Sequence, residues 1–202
     1  MPRTSERGGP ITRRKISDVA TVLFLDRGFD AVTVADVARQ AGVSSVTVFK
    51  HFPRKEDLLF DREEDAVDIL RAAVRDRDPG VDALTSLREA AFRLVDDRHA
   101  LSALKQGSIP FFRTVAGSSA LIARAREIGA ELQQALADEL DADERFGGDP
   151  ALFAALVIAG YTAVMTETAR RVIDEGAPEP VIDDHRARLG RLFDALKNGV
   201  VV

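Results

Sequence analysis

The sequence predicts an all-α fold in which a small N-terminal group of three helices precedes a larger helical domain. Three observations lead to this prediction. Apolar residues recur at the three- and four-residue spacing of an amphipathic helix along most of the chain. No stretch shows the two-residue alternation of a half-buried strand. Glycines and prolines stand between the periodic segments, where helices end and turns begin.

The first predicted helix follows a short polar segment. Residues 1–10 contain two arginines and no apolar run, and we expect them to form a flexible basic arm. The helical period begins at Thr12, and Gly28 stands where a C-terminal cap is expected. One face of this helix carries the apolar residues Ile16, Val19, Ala20, Leu23 and Phe24.

Two short helices joined by a tight turn come next. Thr33 and Asp36 have the spacing of a capping box at the start of the second helix. Gly42 permits the turn that ends it, and Ser44 can cap a third helix over residues 45–51. This is the pattern of a helix-turn-helix, in which the last helix offers its outward residues to the major groove of DNA.

A larger helical domain follows. We place the helix-turn-helix domain at residues 11–56 and the larger domain at 57–202. The stretch 99–117 is irregular because glycines and a proline divide it. The uncharged run 150–166 is at the short edge for a membrane span, so we expect a buried helix and no membrane association. The predicted helices of this part of the chain cover residues 54–77, 82–97, 119–140, 150–175 and 181–198.

The charge distribution favours a DNA-binding head. The whole chain has a net charge of −5, but basic side chains outnumber acidic ones in its first 60 residues. A basic head on an acidic body suits a protein that meets phosphate at one end. The absence of cysteine and of an apolar N-terminal signal fits a cytoplasmic protein.

No constellation of residues indicates catalysis or metal binding. The three histidines, His51, His99 and His185, lie far apart in the sequence and lack metal-ligand spacing. The chain also contains no glycine-rich phosphate loop and no serine elbow. We therefore expect no enzyme activity, no metal and no cofactor.

The helix-turn-helix segment resembles the N-terminal domain of TetR-family regulators. The resemblance covers residues 12–60, and the remainder resembles the family only in being helical. It implies a homodimeric, ligand-responsive transcriptional repressor that binds double-stranded operator DNA. A helical scaffold or adaptor dimer without DNA binding is the alternative. The matching motifs are Leu23-Phe24…Gly28-Phe29, Thr33-Val34…Val37-Ala38…Ala41-Gly42-Val43-Ser44, Thr47-Val48-Phe49…His51-Phe52 and Lys55-Glu56-Asp57-Leu58.

The resemblance also implies a set of DNA contacts. The expected phosphate contacts are Thr33, Ser44, Ser45, His51 and Lys55. The residues expected to face base edges are Val46, Thr47 and Lys50. The arginines expected to reach phosphates or a minor groove are Arg3, Arg7, Arg13 and Arg14. Phe49 and Phe52 are expected to be scaffold, with Phe49 also close to the groove.

Two positions depart from the family pattern. The family often has tyrosine where this chain has Phe49, so any hydrogen bond from that hydroxyl to a phosphate is lost. Val46 stands where a small or polar residue is common. Both differences affect the part of the motif that selects the target sequence.

The resemblance further implies that the last two helices pair with their symmetry mates in a four-helix bundle. The first of these helices is apolar almost all round, which is more than the core of one protomer usually needs. The expected interface residues are Leu152, Leu156, Ile158, Leu189, Leu192, Phe193 and Leu196.

A small-molecule effector in the larger domain is the last implication of the resemblance. Tyr161 adds a hydroxyl to an apolar helix, and Glu167 offers a charge to a polar or cationic ligand group. The expected pocket residues are Phe92, Phe111, Phe112, Tyr161, Met165 and Glu167.

Overall fold

The computed structural model describes residues 8–199, and every regular element in that range is a helix. The all-α prediction is therefore confirmed. The chain divides into two compact units. The first contains the residues up to Arg62 together with Arg113–Ala125, and the second contains Glu63–Phe112 and the residues from Arg126 onward. The sequence predicts a boundary a few residues earlier and no later segment in the first unit.

The first unit begins with α1 (Gly8–Arg27), α2 (Val34–Ala41) and α3 (Ser45–His51). The bounds of α2 and α3 agree with the prediction. Helix α1 starts earlier than predicted, because residues 8–10, expected in a flexible arm, form its first turn. The rest of that arm lies outside the described residues. The apolar side chains buried in this unit include Ile16, Ala20, Phe24, Val37, Val48 and Phe52.

The helix predicted over residues 54–77 is interrupted. The chain instead makes a 3₁₀ turn over Glu56–Leu58, and α4 (Glu63–Arg75) starts after it. Leu58 is completely buried, and the hydroxyl of Ser17 on α1 donates to Oδ2 of Asp61 at 2.5 Å. Tertiary contacts with α1 therefore override the local helical period of this segment.

The other helices occur close to their predicted positions. Within the irregular stretch 99–117 the chain forms a short helix, and the end of this helix and the first turns of the next belong to the first unit. The remaining helices are α5 (Ala83–Asp96), α6 (Ile109–Ala116), α7 (Ser119–Asp141), α8 (Pro150–Glu175) and α9 (Ile182–Asn198), with 3₁₀ turns at Ala100–Ser102 and Glu179–Val181.

Helix α8 has the capping residues that its sequence predicts. The Asp149 side chain accepts from the Leu152 N–H at 3.0 Å, and Pro150 occupies the first turn. Gly176 ends the helix at a φ of 73°, where a side chain would be strained. In the part of the chain that the structure describes, α8 is also the one helix long and apolar enough to cross a membrane.

Helices α8 and α9 pack closely within the second unit. Gly160 on α8 leaves room for Leu192, because a Cβ at position 160 would overlap that leucine side chain. Thr168 and His185 form a buried hydrogen bond between the two helices, with 2.7 Å from Oγ1 to Nδ1. The apolar residues buried at the centre of this unit include Leu87, Leu136, Val157, Val164, Val172, Leu189 and Phe193.

Candidate nucleic-acid interface

The start of α2 is fixed by a complete capping box. Thr33 Oγ1 accepts from the Asp36 N–H at 3.1 Å, and the Thr33 N–H donates to Asp36 Oδ2 at 3.0 Å. The side-chain and backbone hydrogen bonds from Thr33, with a smaller contribution from Arg39, lower the pKa of Asp36 to about 2. Thr33 therefore stabilises the helix end. Its side chain is also exposed, as a phosphate contact requires.

A tight turn orients α3 relative to α2. Gly42 has a φ of 69°, and the N–H of Val43 donates to the Ala38 carbonyl at 3.0 Å. The Ser44 hydroxyl accepts from the Thr47 N–H at 3.0 Å and lies 2.8 Å from the Thr47 hydroxyl. The hydroxyl of Thr47, expected to face a base, is thus already within hydrogen-bonding distance of Ser44.

The outward face of α3 combines apolar and basic side chains. Val46 is 79% exposed and Phe49 is 51% exposed, whereas Val48 is completely buried. Lys50 is also exposed. The interpretation of Phe49 as scaffold is wrong, because the helix turns this ring to solvent. Phe52 is buried as expected.

Arg13 has a different position from the one predicted. It belongs to α1, and its Nη1 donates to the carbonyl of His51 at 2.6 Å. Its guanidinium also lies 4.4 Å from the ring centroid of Phe52. Arg13 therefore holds the end of α3 rather than extending from a flexible arm, while Arg14 beside it is exposed. Arg3 and Arg7, the other two arm residues, fall outside the described range.

Lys55 is also engaged within the first unit. Its Nζ donates to the carbonyl of Phe29 at 2.6 Å and lies 4.1 Å from the centroid of the Phe29 ring. The side chain is half-buried. These contacts tie the 3₁₀ turn after α3 to the loop before α2. They leave two of the three ammonium donors available for other partners.

A partly buried ion pair in this unit was not visible from the sequence. Arg124, on the first turns of α7, donates from Nε to Asp57 Oδ1 at 2.8 Å. Leu121 on the same turns is completely buried. The two residues of the pair are 67 positions apart, and no local pattern links them.

The predicted interface residues of α8 and α9 separate into two groups. Leu152 is 58% exposed and Leu156 is 51% exposed. By contrast, Ile158, Leu189 and Phe193 are buried inside the protomer. Predicting these three at a surface was wrong, because they complete the core of the second unit. Leu192 and Leu196 are half-buried against the same core.

The expected pocket residues already have partners. The Tyr161 hydroxyl donates to the Leu101 carbonyl at 2.9 Å, and burial raises the pKa of this phenol. Glu167 pairs with Arg170 at 2.7 Å. The residues Phe92, Phe112 and Tyr161 pack against the core, with Phe111 edge-on to Phe112. Met165 is half-buried.

A cavity of about 430 Å³ lies elsewhere in the second unit. None of the six expected pocket residues lines it. Its wall combines apolar side chains with two arginines and one aspartate, and it includes Val81, Leu84, Phe153, Arg77, Arg145 and Asp82. Among residues 8–199 no group of histidine and acidic side chains is arranged to hold a metal ion.

The comparisons with known proteins agree with this geometry. Residues 16–61 match the family described as bacterial regulatory proteins, tetR family. The chain is 32% identical to the HTH-type transcriptional repressor KstR2 of Mycolicibacterium smegmatis over 45% of this chain and 47% of that protein. It is 29% identical to the HTH-type transcriptional regulator AcrR of Shigella flexneri over 48% and 46%. The aligned region spans about half the length of these relatives.

Solved structures with the same fold cover nearly the whole chain. Thermus thermophilus FadR, a TetR-family repressor solved with lauroyl-CoA, has a TM-score of 0.60 and 23% identity, over 94% of this chain and 95% of that one. Pseudomonas aeruginosa NalD, the secondary repressor of a multidrug efflux pump, has a TM-score of 0.55 and 18% identity, over 97% and 98%. These likenesses show the fold of the chain.

Proposed function

Because residues 16–61 match the tetR family of bacterial regulatory proteins, we propose that the whole protein is a DNA-binding transcriptional regulator without enzyme activity. The observation that carries the proposal is the outward face of α3. It follows a capped helix and a tight turn, as a recognition helix does, and it presents Val46, Phe49 and Lys50 to solvent. Nothing in the comparisons favours the alternative of a helical scaffold.

We propose repression rather than activation, since KstR2 and NalD are both described as repressors. The direct test is a mobility shift on the promoter DNA beside the protein's own coding sequence. We expect a specific complex that survives excess unrelated duplex. A reporter driven by that promoter should rise in expression when the regulator is deleted. Failure to bind any duplex specifically would refute the proposal.

We propose that the protein acts as a homodimer in the cytoplasm. An exposed stripe on α8 supports the dimer, because its residues recur at alternating spacings of four and three, as in a helix that packs along a partner helix. The small residues in the stripe allow close approach. A two-fold dimer would also offer two recognition helices to a pseudo-palindromic site. The stripe consists of Leu152, Leu156, Ala159, Ala163 and Thr166.

We further propose that a small molecule with an apolar body binds the second unit and releases the DNA. Two locations are compatible with this: the expected residues around Phe112 and Tyr161, and the cavity lined by Leu84 and Phe153. The effector must bind the non-DNA-binding state more tightly, because only differential affinity shifts the equilibrium.

The two locations can be separated by thermal-shift screening with apolar and cationic compounds. A hit that is lost in Phe112→Ala with Tyr161→Ala but kept in Phe153→Ala indicates the first location, and the reverse pattern indicates the cavity. Each hit should also weaken binding to operator DNA. Hits that leave operator affinity unchanged would argue against an effector role.

A further inference from the structure

The recognition helix exposes two large apolar side chains that the fold does not use. Val46 and Phe49 are 79% and 51% exposed, although neighbouring Val48 is completely buried. A spacing of three residues places Val46 and Phe49 on the same side of α3. Exposed apolar area of this kind is unfavourable in water, and it indicates a surface that becomes covered.

The polar groups of α3 offer little for reading bases by hydrogen bonds. The helix, SVTVFKH, contains no arginine, asparagine or glutamine, so Lys50 is its one side chain of the types that pair bidentately with purine edges. The Thr47 hydroxyl lies 2.8 Å from that of Ser44. Lys50 is exposed on the same helix. The helix contains no acidic residue, so its charge suits DNA rather than a basic partner.

Only one base presents an apolar group in the major groove. Thymine carries a C5 methyl there, and small apolar side chains contact it. We propose that Val46 and Phe49 read thymine methyl groups, so that each operator half-site carries thymines at the positions these two side chains cover. The inference rests on the proposed function and names the base that the regulator recognises in its operator. Lys50 adds a hydrogen-bonding or phosphate contact beside the methyl contacts.

The experiment begins with the full-length protein and a random duplex library. Repeated selection yields the bound sequences, and we expect thymines at two fixed positions of each half-site. Each such thymine is then replaced by deoxyuridine, which removes the methyl and leaves base pairing and the O4 acceptor intact. Burial of one methyl predicts a loss of about fourfold in affinity for each replacement.

Substitutions in the protein connect each methyl to a side chain. Val46→Ala should abolish the sensitivity to deoxyuridine at one position, and Phe49→Ala should abolish it at the other, as a double-mutant cycle requires for direct contact. Both side chains are exposed, so these variants should fold normally, which circular dichroism checks. Lys50→Ala is the matched control, since it should weaken the thymine and deoxyuridine duplexes by the same factor.

The possible results separate this inference from the proposed function. Specific binding to half-sites that lack thymine, or that tolerate deoxyuridine at every position, would overturn methyl reading and leave the regulator intact. Sensitivity that persists unchanged in both alanine variants would also overturn it. A protein that binds no duplex specifically in the selection would overturn the proposed function itself.

Discussion

The guanidinium of Arg13 on α1 donates to the carbonyl of His51, the last residue of α3, at 2.6 Å. It also lies over the ring of Phe52 at 4.4 Å from the centroid. The Arg13 side chain therefore hydrogen-bonds a carbonyl at the end of the recognition helix and also packs on Phe52, the residue that follows the helix. A cation at this end is also favoured by the helix dipole.

We expect Arg13→Ala to lower the free energy of unfolding by about 1–2 kcal/mol, because it removes a charged hydrogen bond and a cation–π contact. DNA affinity should fall as well, since the end of α3 loses its support. Arg14→Ala is the matched control for stability, because Arg14 is exposed on the same turn. Urea unfolding measures both variants. Equal stability of the two would show that the Arg13 contacts contribute nothing.

Lys55→Ala should weaken binding to specific and unrelated duplexes by about the same factor. This follows if Lys55 contacts phosphate, and the slope of log affinity against log salt should then decrease by about 1. The contact with the Phe29 carbonyl adds a folding effect, so stability must be measured in parallel. Lys50→Ala should change the preferred sequence in addition. An unchanged salt slope in folded Lys55→Ala would limit Lys55 to its structural contact.

Substitution of the α8 stripe should dissociate the dimer. Leu152→Glu with Leu156→Glu places charges on an exposed apolar surface, and two-fold symmetry makes each change count twice. We expect the dissociation constant of the dimer to rise by more than about tenfold. Val22→Glu is the control, since it makes the same chemical change at an exposed apolar residue of α1. Sedimentation velocity distinguishes the species, and dimers that persist in the double variant would exclude this surface.

The protein should lose stability between pH 6.5 and pH 4 because of His185. Burial lowers the pKa of His185 to about 4; the positive charge of Arg186 acts in the same direction, and the negative charge of Asp184 opposes it with a smaller effect. The unfolded chain takes up a proton below about pH 6.5 while the folded chain does not, so stability falls as pH falls through this window. The loss is up to about 3 kcal/mol. Among the described residues, Nε2 of His185 is buried without a hydrogen-bond partner, so protonation gains no compensating contact.

His185→Gln tests this pH dependence. The variant cannot titrate, so its free energy of unfolding should be nearly flat where that of the parent protein falls. The carboxylates whose pKa is lowered, such as Asp36 and Asp184, lose their stabilising effect only as pH falls further. Chemical denaturation at several pH values provides the measurement. A slope that persists in the variant would assign the effect to other groups.

Much of the first unit can be predicted from local sequence. The capping box at Thr33, the turn at Gly42 and the cap at Ser44 each depend on residues within a few positions of one another. Such short-range capping interactions can be predicted from a single sequence. The failures have a common physical cause, since Arg13 and Lys55 reach partners 38 and 26 residues away. No periodicity encodes contacts of that range.

The predicted interface shows the same limit in the second unit. The apolar residues of α9 predict that the helix packs against other helices, but they do not show which helix covers each leucine. Leu189 and Phe193 face the core of their own protomer, whereas Leu152 and Leu156 face solvent. Helical spacing alone does not show whether an apolar residue faces the core of its own protomer or solvent. The packing of α8 on α9 decides this for each residue.

The first unit is discontinuous in sequence, because its compact core includes Arg113–Ala125. A fragment that ends near Arg62 would lack buried Leu121 and the partner of Asp57. On the ribosome, therefore, the DNA-reading head cannot complete its packing until more than half of the chain has been made. Nascent chains arrested before that point should be sensitive to protease throughout the head, and protection should appear once residue 125 has left the exit tunnel.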